Sequence, residues 1–476
     1  MRHFCWLFLT LSCLANAEVE TMDYLYTDLT FADEQSNQTY SIFETQTKNG
    51  QLPLAAQTAN GLLDQQLELT DSNPALYGKL LANLGMVQAS LGEYDNAMAS
   101  LDPALEFMET VINPFSPILI NISMARGLVL MQKREYERSN EALRRAQHIT
   151  HRTGGVYTPE QLEIVNKIVR LNLREYKPGV ADNMQEFRQR VAEQAYGEAS
   201  EELIPIFQEI AGYYARRGST IAVMESAGEM AYFSDDVNSR YYRDLLFRRS
   251  FKLYERIIKI IEDNYGEDDL RLLGPLRGMA NARLLQKHNR TASEKALERA
   301  LAIVENNPDT DVPDRIRAML DLGDMYTITG DGRATQIYVD TYQMMMDSEA
   351  FAEVAADAFG SPTRLYPEAS GIKYLNRAPD AALAGAEDLY IELTYTVDEN
   401  GRVSDVEVVD RNVPNEQVRL MRAHLLKTRF RPRILDGQPV STNNLMLHQR
   451  YTVLPPSSSG TSINIKAGPS SPLDDN

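Results

Sequence analysis

The stretch LYIELTYTV, residues 389–397, decides how the C-terminal part of this chain folds. Its apolar residues alternate with polar or smaller ones, a period of two that predicts a half-buried strand: Leu389, Ile391, Leu393, Tyr395 and Val397. The sequence DENG follows at 398–401, with Gly401 at the turn position that needs a positive φ. The stretch is therefore predicted to be the first strand of a β-hairpin.

A second strand is predicted over residues 403–409. Val406 and Val408 keep the alternation of a strand, but Val403 is out of phase with them. Because one extra residue in a strand shifts the alternation, we expect a β-bulge near Ser404.

A helix and a last strand complete this part of the sequence. Asn412 and Pro414 are typical of a helix start, and the helix carries apolar residues on one face, namely Val418, Met421 and Leu425. The basic stretch RFRPRILDGQPV, 429–440, predicts a turn back into the sheet. The last strand is lined by Leu445, Leu447, Tyr451 and Val453. The predicted order is strand, hairpin, strand, helix, strand.

This order resembles the C-terminal domain of the TonB energy-transducer family. The resemblance rests on Val397-Asp398, Gly401-Arg402-Val403, Val406, Val408, Arg429-Phe430-Arg431-Pro432, Gly437-Gln438-Pro439-Val440 and the closing aromatic strand. It implies a small β-β-α-β domain that contacts outer-membrane transporters by pairing a strand with the transporter's N-terminal segment. The expected partner-binding residues are Arg429, Arg431, Arg433, Leu445, Leu447, Gln449 and Tyr451.

The basic cluster of Lys427, Arg429, Arg431 and Arg433 allows two interpretations in an acidic chain. These side chains can offset the helix dipole and keep the domain soluble. Alternatively, they form a patch that contacts an acidic partner segment or an anionic cell-wall glycan. Phe430 is expected in the core.

An earlier part of the chain carries a second pattern, in which small residues alternate with large ones at fixed offsets. The first unit contains Leu84-Gly85, Gly92, Tyr94, Ala97, Leu101 and Ala104, and the second contains Gly127, Tyr136, Ser139, Leu143 and Ala146, 42 residues further on. The same step reaches Val169 and Ala211, while Gly323 and Asn281 form a later pair. The offsets resemble tetratricopeptide (TPR) repeats of the lengthened kind found in kinesin light chain. An irregular helical pair is expected over 236–264.

The N-terminus is typical of a signal peptide. Arg2 precedes an apolar run over 5–14, and Ala15-Asn16-Ala17 is a cleavage site, so we expect the mature chain to begin at Glu18. The run is shorter than the roughly 20 residues of a membrane span. The alternative is membrane anchoring, through an uncleaved leader or a lipidated Cys13. Both cysteines precede the cleavage site, so the mature protein would have no disulfide.

Together these patterns predict a mainly α protein, a TPR-like α-solenoid followed by the small α+β domain. The predicted parts are a signal peptide (1–17), an acidic, weakly ordered segment (18–52), a TPR-like array (53–346), a linker (347–385), a TonB C-terminal-like domain (386–454) and a disordered tail (455–476). The net charge of −19 argues against a nucleic-acid binder. Grooves of stacked helical pairs bind peptides or proteins.

The expected function is protein–protein interaction in the periplasm. Because the sequence has no Pro-rich spacer after its leader, we expect an adaptor for TonB-dependent transport rather than the energy transducer itself. Its partners would be a TonB-dependent receptor or TonB-system components. The alternative is an envelope scaffold that binds peptidoglycan. We expect no enzyme activity, catalytic residue, cofactor or metal, because His148 and His151 lack an evident third ligand.

Overall fold

The computed structural model describes residues 20–27, 29–227, 239–286, 290–366, 374–375 and 389–453. They form two compact units, one up to Leu203 and the other from Ile204 onward. The predicted leader, including Cys13, and the predicted tail from 455 lie outside the described residues. The described part is mainly helical, with a small sheet region near the C-terminus. It contains no helix with the length and apolar composition that a bilayer crossing requires.

The first unit contains nine helices among its described residues. They are α1 (Glu34–Lys48), α2 (Leu52–Gln65), α3 (Leu69–Ser72), α4 (Pro74–Ser90), α5 (Tyr94–Glu109), α6 (Ile118–Gln132), α7 (Tyr136–Gly154), α8 (Glu160–Arg174) and α9 (Pro178–Tyr196). Apart from the short α3, successive helices pack in four pairs, joined by turns of three residues. The first helices of the pairs end at Lys48, Ser90, Gln132 and Arg174, in steps of 42 residues. The predicted period is therefore present, and it begins one pair earlier than expected.

Small residues allow close contact within the pairs, as predicted. A Cβ on Gly85 would lie 2.8 Å from Cγ of Leu101, and a Cβ on Gly127 would lie 2.6 Å from Cδ2 of Leu143. Ser139 occupies the position that Ala97 has 42 residues earlier, and its hydroxyl donates a buried 2.7 Å hydrogen bond to the Gly127 carbonyl. A larger residue at either glycine would push the two helices of its pair apart.

The N-terminal segment differs from the prediction of weak order over 18–52. Residues 34–48 form α1, which begins at the N-cap Asp33 and packs against α2. Aromatic side chains that are scattered in the sequence are buried in the core of the first unit, at Tyr24, Tyr26, Phe31, Tyr40 and Phe43. Burial of these aromatic side chains stabilises the folded form of the segment, although its acidic composition suggested weak order.

The second unit contains helices α10 (Leu203–Ala227), α11 (Ser239–Tyr265), α12 (Leu273–Gln286), α13 (Arg290–Asn306), α14 (Val312–Thr329), α15 (Arg333–Met346) and α16 (Ala352–Phe359). The irregular pair expected over 236–264 is instead one long helix, α11, which packs on α12. The predicted position of Asn281 is also wrong by one residue. Ala280 is fully buried and accepts a hydrogen bond from Ser293, whereas Asn281 is exposed.

The sheet region follows in the same unit. Its strands are β1 (Thr363–Tyr366), β2 (Tyr374–Leu375), β3 (Leu389–Val397), β4 (Val403–Arg411), β5 (Arg429–Arg431), β6 (Arg433–Leu435), β7 (Gln438–Val440) and β8 (Thr442–Val453), with helix α17 (Asn415–Lys427) after β4. The main sheet has the order β2-β8-β3-β4, in which β3 runs antiparallel to both neighbours. Strands β1 and β5 form one antiparallel pair, and β6 and β7 form another.

One face of the main sheet carries the core of this region. All five alternating residues of β3 are buried, and they pack with Met421 and Leu425 of α17. The predicted bulge is present, because the β3–β4 register shifts next to Asp405, whose φ is +50°. The phase predicted for Val406 and Val408 is confirmed, because Val408 lies opposite buried Leu393 and the second register shift falls only between Val408 and Asp410. Val403 and Val406 are buried, while Val408 is 37% exposed on this outer strand of the sheet.

The predicted linker over 347–385 contributes structure to the second unit. It contains α16 and β1, and β1 pairs with β5 through Thr363–Arg431 and Arg364–Phe430. The Ala-rich piece at 381–386 lies outside the described residues. The contacts of α16 and β1 join the sheet region to the helices before it, whereas the sequence predicts a linker between separate parts.

Candidate functional site

Strand β8 lies near one side of the main sheet, and among the described residues no strand pairs with its outer edge from Thr442 to His448. The side chain and main chain of Asn412, just after β4, both bond to the main chain of Tyr390, at 2.6 and 3.2 Å. The main chain of Tyr390 therefore faces β4, and that of Ile391 and Leu393 faces β8.

Ile391 lies opposite Gln449, and Leu393 lies opposite Leu447. The main-chain groups of Met446 and His448 consequently face away from β3. Among the described strands, only β2 lies on this side, and it pairs with β8 at Thr452 and Val453 alone. We call residues 442–448 the open edge of β8, because no described strand pairs with them on this side.

The opposite side of the sheet, formed by β4, is less suited to strand pairing. Its two register shifts interrupt the ladder, and exposed acidic side chains lie along it, at Asp405, Glu407 and Asp410. Bulges and charges are the features that protect edge strands from pairing. The open edge of β8 has one residue with positive φ, Asn444, and an exposed apolar side chain, Met446, which is 65% exposed.

The four partner-binding residues predicted on β8 point toward the sheet's own core. Tyr451 is buried, while Leu445 and Leu447 are half-buried against the same core, and Gln449 is half-buried. Burial raises the pKa of the Tyr451 hydroxyl. These side chains fix the position of β8, and a partner strand would meet its main chain instead.

The other face of the sheet carries a polar network. His448 Nδ1 lies 2.8 Å from the Glu392 carboxylate, and the His448 ring stacks on Tyr390 at 5.3 Å. Tyr390 donates a 2.6 Å hydrogen bond to Asp410. The network spans β4, β3 and β8, so it holds the register of the strand that bears the open edge.

The predicted basic patch is divided among different environments. Arg429 is half-buried, and its guanidinium donates to the Thr428 carbonyl at 3.1 Å, at the C-terminal end of α17. This contact agrees with the dipole interpretation of the cluster. Arg433 lies half-buried on the β6–β7 hairpin, and Lys427 is exposed.

Arg431 is a correction to the predicted binding residues, because it is 4% exposed. Its Nε and Nη2 donate to the two oxygens of Asp324 on α14, at 2.9 and 2.7 Å. Tyr338 on α15 also donates to Asp324, at 2.8 Å. Burial alone would lower the pKa of Arg431, but the charge and hydrogen bonds of Asp324 outweigh it and raise that pKa.

The Arg431–Asp324 pair attaches the sheet region to the helices of the second unit. Arg431 Nη1 also donates to the Ala358 carbonyl of α16 at 3.3 Å. Nearby, the main chain of Gly401 contacts β5 closely, and a Cβ there would lie 1.8 Å from the Phe430 carbonyl oxygen. The contact between Arg431 and Asp324 could not be found from the sequence, because nothing in the helical pattern around Asp324 distinguishes it from a solvent-exposed acidic residue.

The two histidines considered as metal ligands in the sequence lie in the described part of the chain. It contains no group of three or more His, Cys, Asp or Glu side chains that could hold a metal ion. His148 instead packs edge-on against Phe115 at 5.5 Å. Burial lowers the pKa of the neighbouring His151.

Comparison with known proteins adds little. No family model matches the chain, and no curated protein is similar to it. Among solved structures, BtubC (BKLC) from P. vanneervenii is similar at 13% identity and a TM-score of 0.29, over 62% of this chain and 91% of that one. The apo form of the quorum sensor NprR from B. thuringiensis is similar at 12% identity and a TM-score of 0.21, over 69% and 99%. At such TM-scores neither likeness supports a conclusion about function.

Proposed function

We propose that this protein is an exported, periplasmic adaptor that assists TonB-dependent transport across the outer membrane. Its TonB-like C-terminal domain would pair a strand with a segment of an outer-membrane receptor, and its TPR-like helices would hold a second protein. The proposal is supported by the β-β-α-β order, the 42-residue helical period and, above all, the open edge of β8. Strand addition needs unpaired main-chain groups rather than catalytic side chains.

The open edge suggests which main-chain groups a partner would use. Met446 and His448 present their N–H and C=O groups outward, while the residues between them bond to β3. A partner strand would add beside β8 and extend the sheet by one strand. Exposed Met446 would supply apolar contact on the outer face.

A proline at Met446 tests this proposal directly. Met446→Pro removes an outward N–H without removing a bond to β3, so the sheet should remain folded. We expect it to weaken binding of a synthetic peptide of the receptor's periplasmic N-terminal segment by about tenfold, since a lost hydrogen bond of about 1.4 kcal/mol has that effect. Titration of the full chain with the labelled peptide measures the change.

Met446→Ala is the matched control, because it removes the same side chain and retains the N–H group. We expect its affinity to stay within about threefold of the unaltered chain. Equal affinities for the proline and alanine variants would show that the outward main chain of β8 is not used. Lack of peptide binding by the unaltered chain would contradict the adaptor function itself.

The alternative of a peptidoglycan-binding scaffold relied on the basic patch. Burial of Arg431 against Asp324 leaves Arg429 and Arg433 as its half-buried members. A charge reversal at Arg431 would act on folding and could not report glycan binding. Sedimentation of the Arg429→Glu, Arg433→Glu variant with purified cell wall is the suitable test, and we expect no difference from the unaltered chain.

A further inference from the structure

An irregular N-terminal segment lies against the first helices of three pairs in the first unit. We call residues 20–27 the N-terminal strap, whose regular structure is one 3₁₀ turn, Met22–Tyr24. Tyr24 and Tyr26 of the strap are 5% and 6% exposed. Its hydrogen bonds and ion pairs reach α4, α6 and α8, and the Tyr26 carbonyl also accepts a hydrogen bond from the Tyr40 hydroxyl of α1.

Asn83 on α4 binds the main chain of the strap. Its side-chain oxygen accepts from the Tyr26 N–H at 2.8 Å, and its side-chain nitrogen donates to the Tyr26 carbonyl at 2.8 Å. Asn83 is fully buried, so both of its polar atoms depend on protein partners. A side chain that bonds to both main-chain groups of one residue recognises an extended segment regardless of that residue's type.

Side-chain contacts at either end of the strap add selectivity. The Glu20 carboxylate bonds to Lys167 and Arg170 of α8, and Lys167 is 4% exposed. Glu163 lies 3.7 Å from Lys167 and accepts a hydrogen bond from the Tyr24 hydroxyl. The Tyr26 hydroxyl donates to the Ile118 carbonyl at the start of α6, at 2.6 Å.

We propose that the face formed by α4, α6 and α8 is a peptide-binding site, that the strap is its tethered occupant, and that an extended partner segment with a carboxylate and two tyrosines at the strap's spacing binds there by displacing it. This deepens the proposed adaptor function, on which it rests, by identifying where the helical part takes its partner. The strap belongs to no helical pair and no sheet ladder, so we expect the pairs to stay folded when a partner segment replaces it and its tyrosines fill the core positions of Tyr24 and Tyr26.

A competition experiment on the full chain tests the proposal. The probe is a fluorescent synthetic peptide of residues 18–31, EVETMDYLYTDLTF. Tyr24→Ala with Tyr26→Ala weakens the strap, and we expect this variant to bind the probe at least tenfold more tightly than the unaltered chain. Adding Asn83→Ala should remove most of that gain, and a probe with Gln at the Glu20 position should bind several-fold more weakly.

Tyr157→Ala, at an exposed tyrosine that makes none of these hydrogen bonds, is the matched control and should leave probe affinity unchanged. Equal probe affinity in the strap variant and the unaltered chain overturns the proposal. Loss of helical circular dichroism in the strap variant also overturns it, because the strap would then be an integral part of the core.

Hydrogen exchange of the unaltered chain provides a second measurement. The Tyr26 amide should exchange through local opening, with less protection than the central amides of α4. Equal protection would show that the strap detaches only when the whole unit unfolds. None of these experiments involves β8, so failure of the open-edge test and failure of this proposal are distinguishable.

Discussion

One residue in each turn between paired helices of the first unit has left-handed backbone geometry. The positions are Gly50, Gly92, Arg134 and Tyr176, with φ of 70°, 80°, 63° and 58°, again in steps of 42 residues. In each case the next residue's N–H bonds to the carbonyl five residues back, as in a Schellman motif. Arg134 and Tyr176 adopt a conformation that costs an L-residue roughly 1–2 kcal/mol.

Replacing Arg134 by glycine should therefore stabilise the protein. We expect Arg134→Gly to raise the free energy of unfolding of the first unit by about 1 kcal/mol, after the entropy cost of glycine is subtracted. Urea denaturation monitored by circular dichroism measures the change. Glu137→Gly, at an exposed position inside α7, should have the opposite sign, a loss of up to about 1 kcal/mol. The same sign for both variants would contradict the conformational explanation.

At the scale of elements, the Arg431–Asp324 ion pair joins β5 to α14. Arg431 is buried, so removal of Asp324 leaves an unpaired charge out of reach of water. We expect Asp324→Ala to lower the free energy of unfolding of the second unit by about 3–5 kcal/mol. Chemical denaturation of the full chain, with tyrosine fluorescence as a second probe, measures this loss.

Two comparisons separate this effect from a general sensitivity to substitution. Combining Asp324→Ala with Arg431→Met removes the stranded charge, so the double variant should lose less stability than Asp324→Ala alone. Glu416→Ala breaks an exposed ion pair with Arg419, and we expect a change within about 0.5 kcal/mol. A similar loss for Glu416→Ala and Asp324→Ala would contradict the importance of burial.

The attachment of the N-terminal strap should depend on pH through Glu20. Burial raises the pKa of the Glu20 carboxyl, but Lys167 and Arg170 outweigh burial and hold that pKa below its ordinary value of 4.5. A lowered folded-state pKa means that the attachment is fully stabilised above pH 4.5 and is lost as pH falls below it. The protection factor of the Tyr26 amide should thus fall on acidification, and Glu20→Gln should remove this dependence. A protection factor that is constant with pH would contradict it.

At the scale of the whole molecule, the structural features that could be predicted from the sequence are those in which a periodic pattern reflects burial. The alternation in Leu389–Val397, the apolar face of α17 and the 42-residue step all appear in the structure, because each is a local pattern set by one element's own geometry. The bulge near Ser404 was also predictable from a break in phase.

Contacts between elements distant in sequence could not be predicted in the same way. Nothing in the spacing of Arg431 and Asp324, 107 residues apart, indicates that they meet. Glu20 and Lys167 are 147 residues apart, and their contact makes a folded strap from a segment whose acidic composition suggested weak order. An exposed basic residue and a buried, paired one look the same in sequence, which is why Arg431 was placed on the surface.

Export is a prediction about the whole chain, and it concerns residues outside the described part. Expressed from Met1 in a Gram-negative host, the protein should be recovered from the periplasm and should begin at Glu18 if residues 1–17 are the predicted leader. N-terminal sequencing with intact mass measurement determines this. Substituting Ala17 by a bulky residue should block processing. A lipidated mature protein would instead support the anchored alternative.

The attachment of β5 to α14 determines how a mechanical force would be transmitted if a transporter segment paired with β8. Tension applied along that strand would pass through β3 and β4 to the bridge between Arg402 and Arg429, and along β5 to the buried guanidinium–carboxylate contact between Arg431 and Asp324. A force on β8 would therefore be transmitted directly to the helices of the second unit, rather than extending a flexible linker between those helices and the sheet.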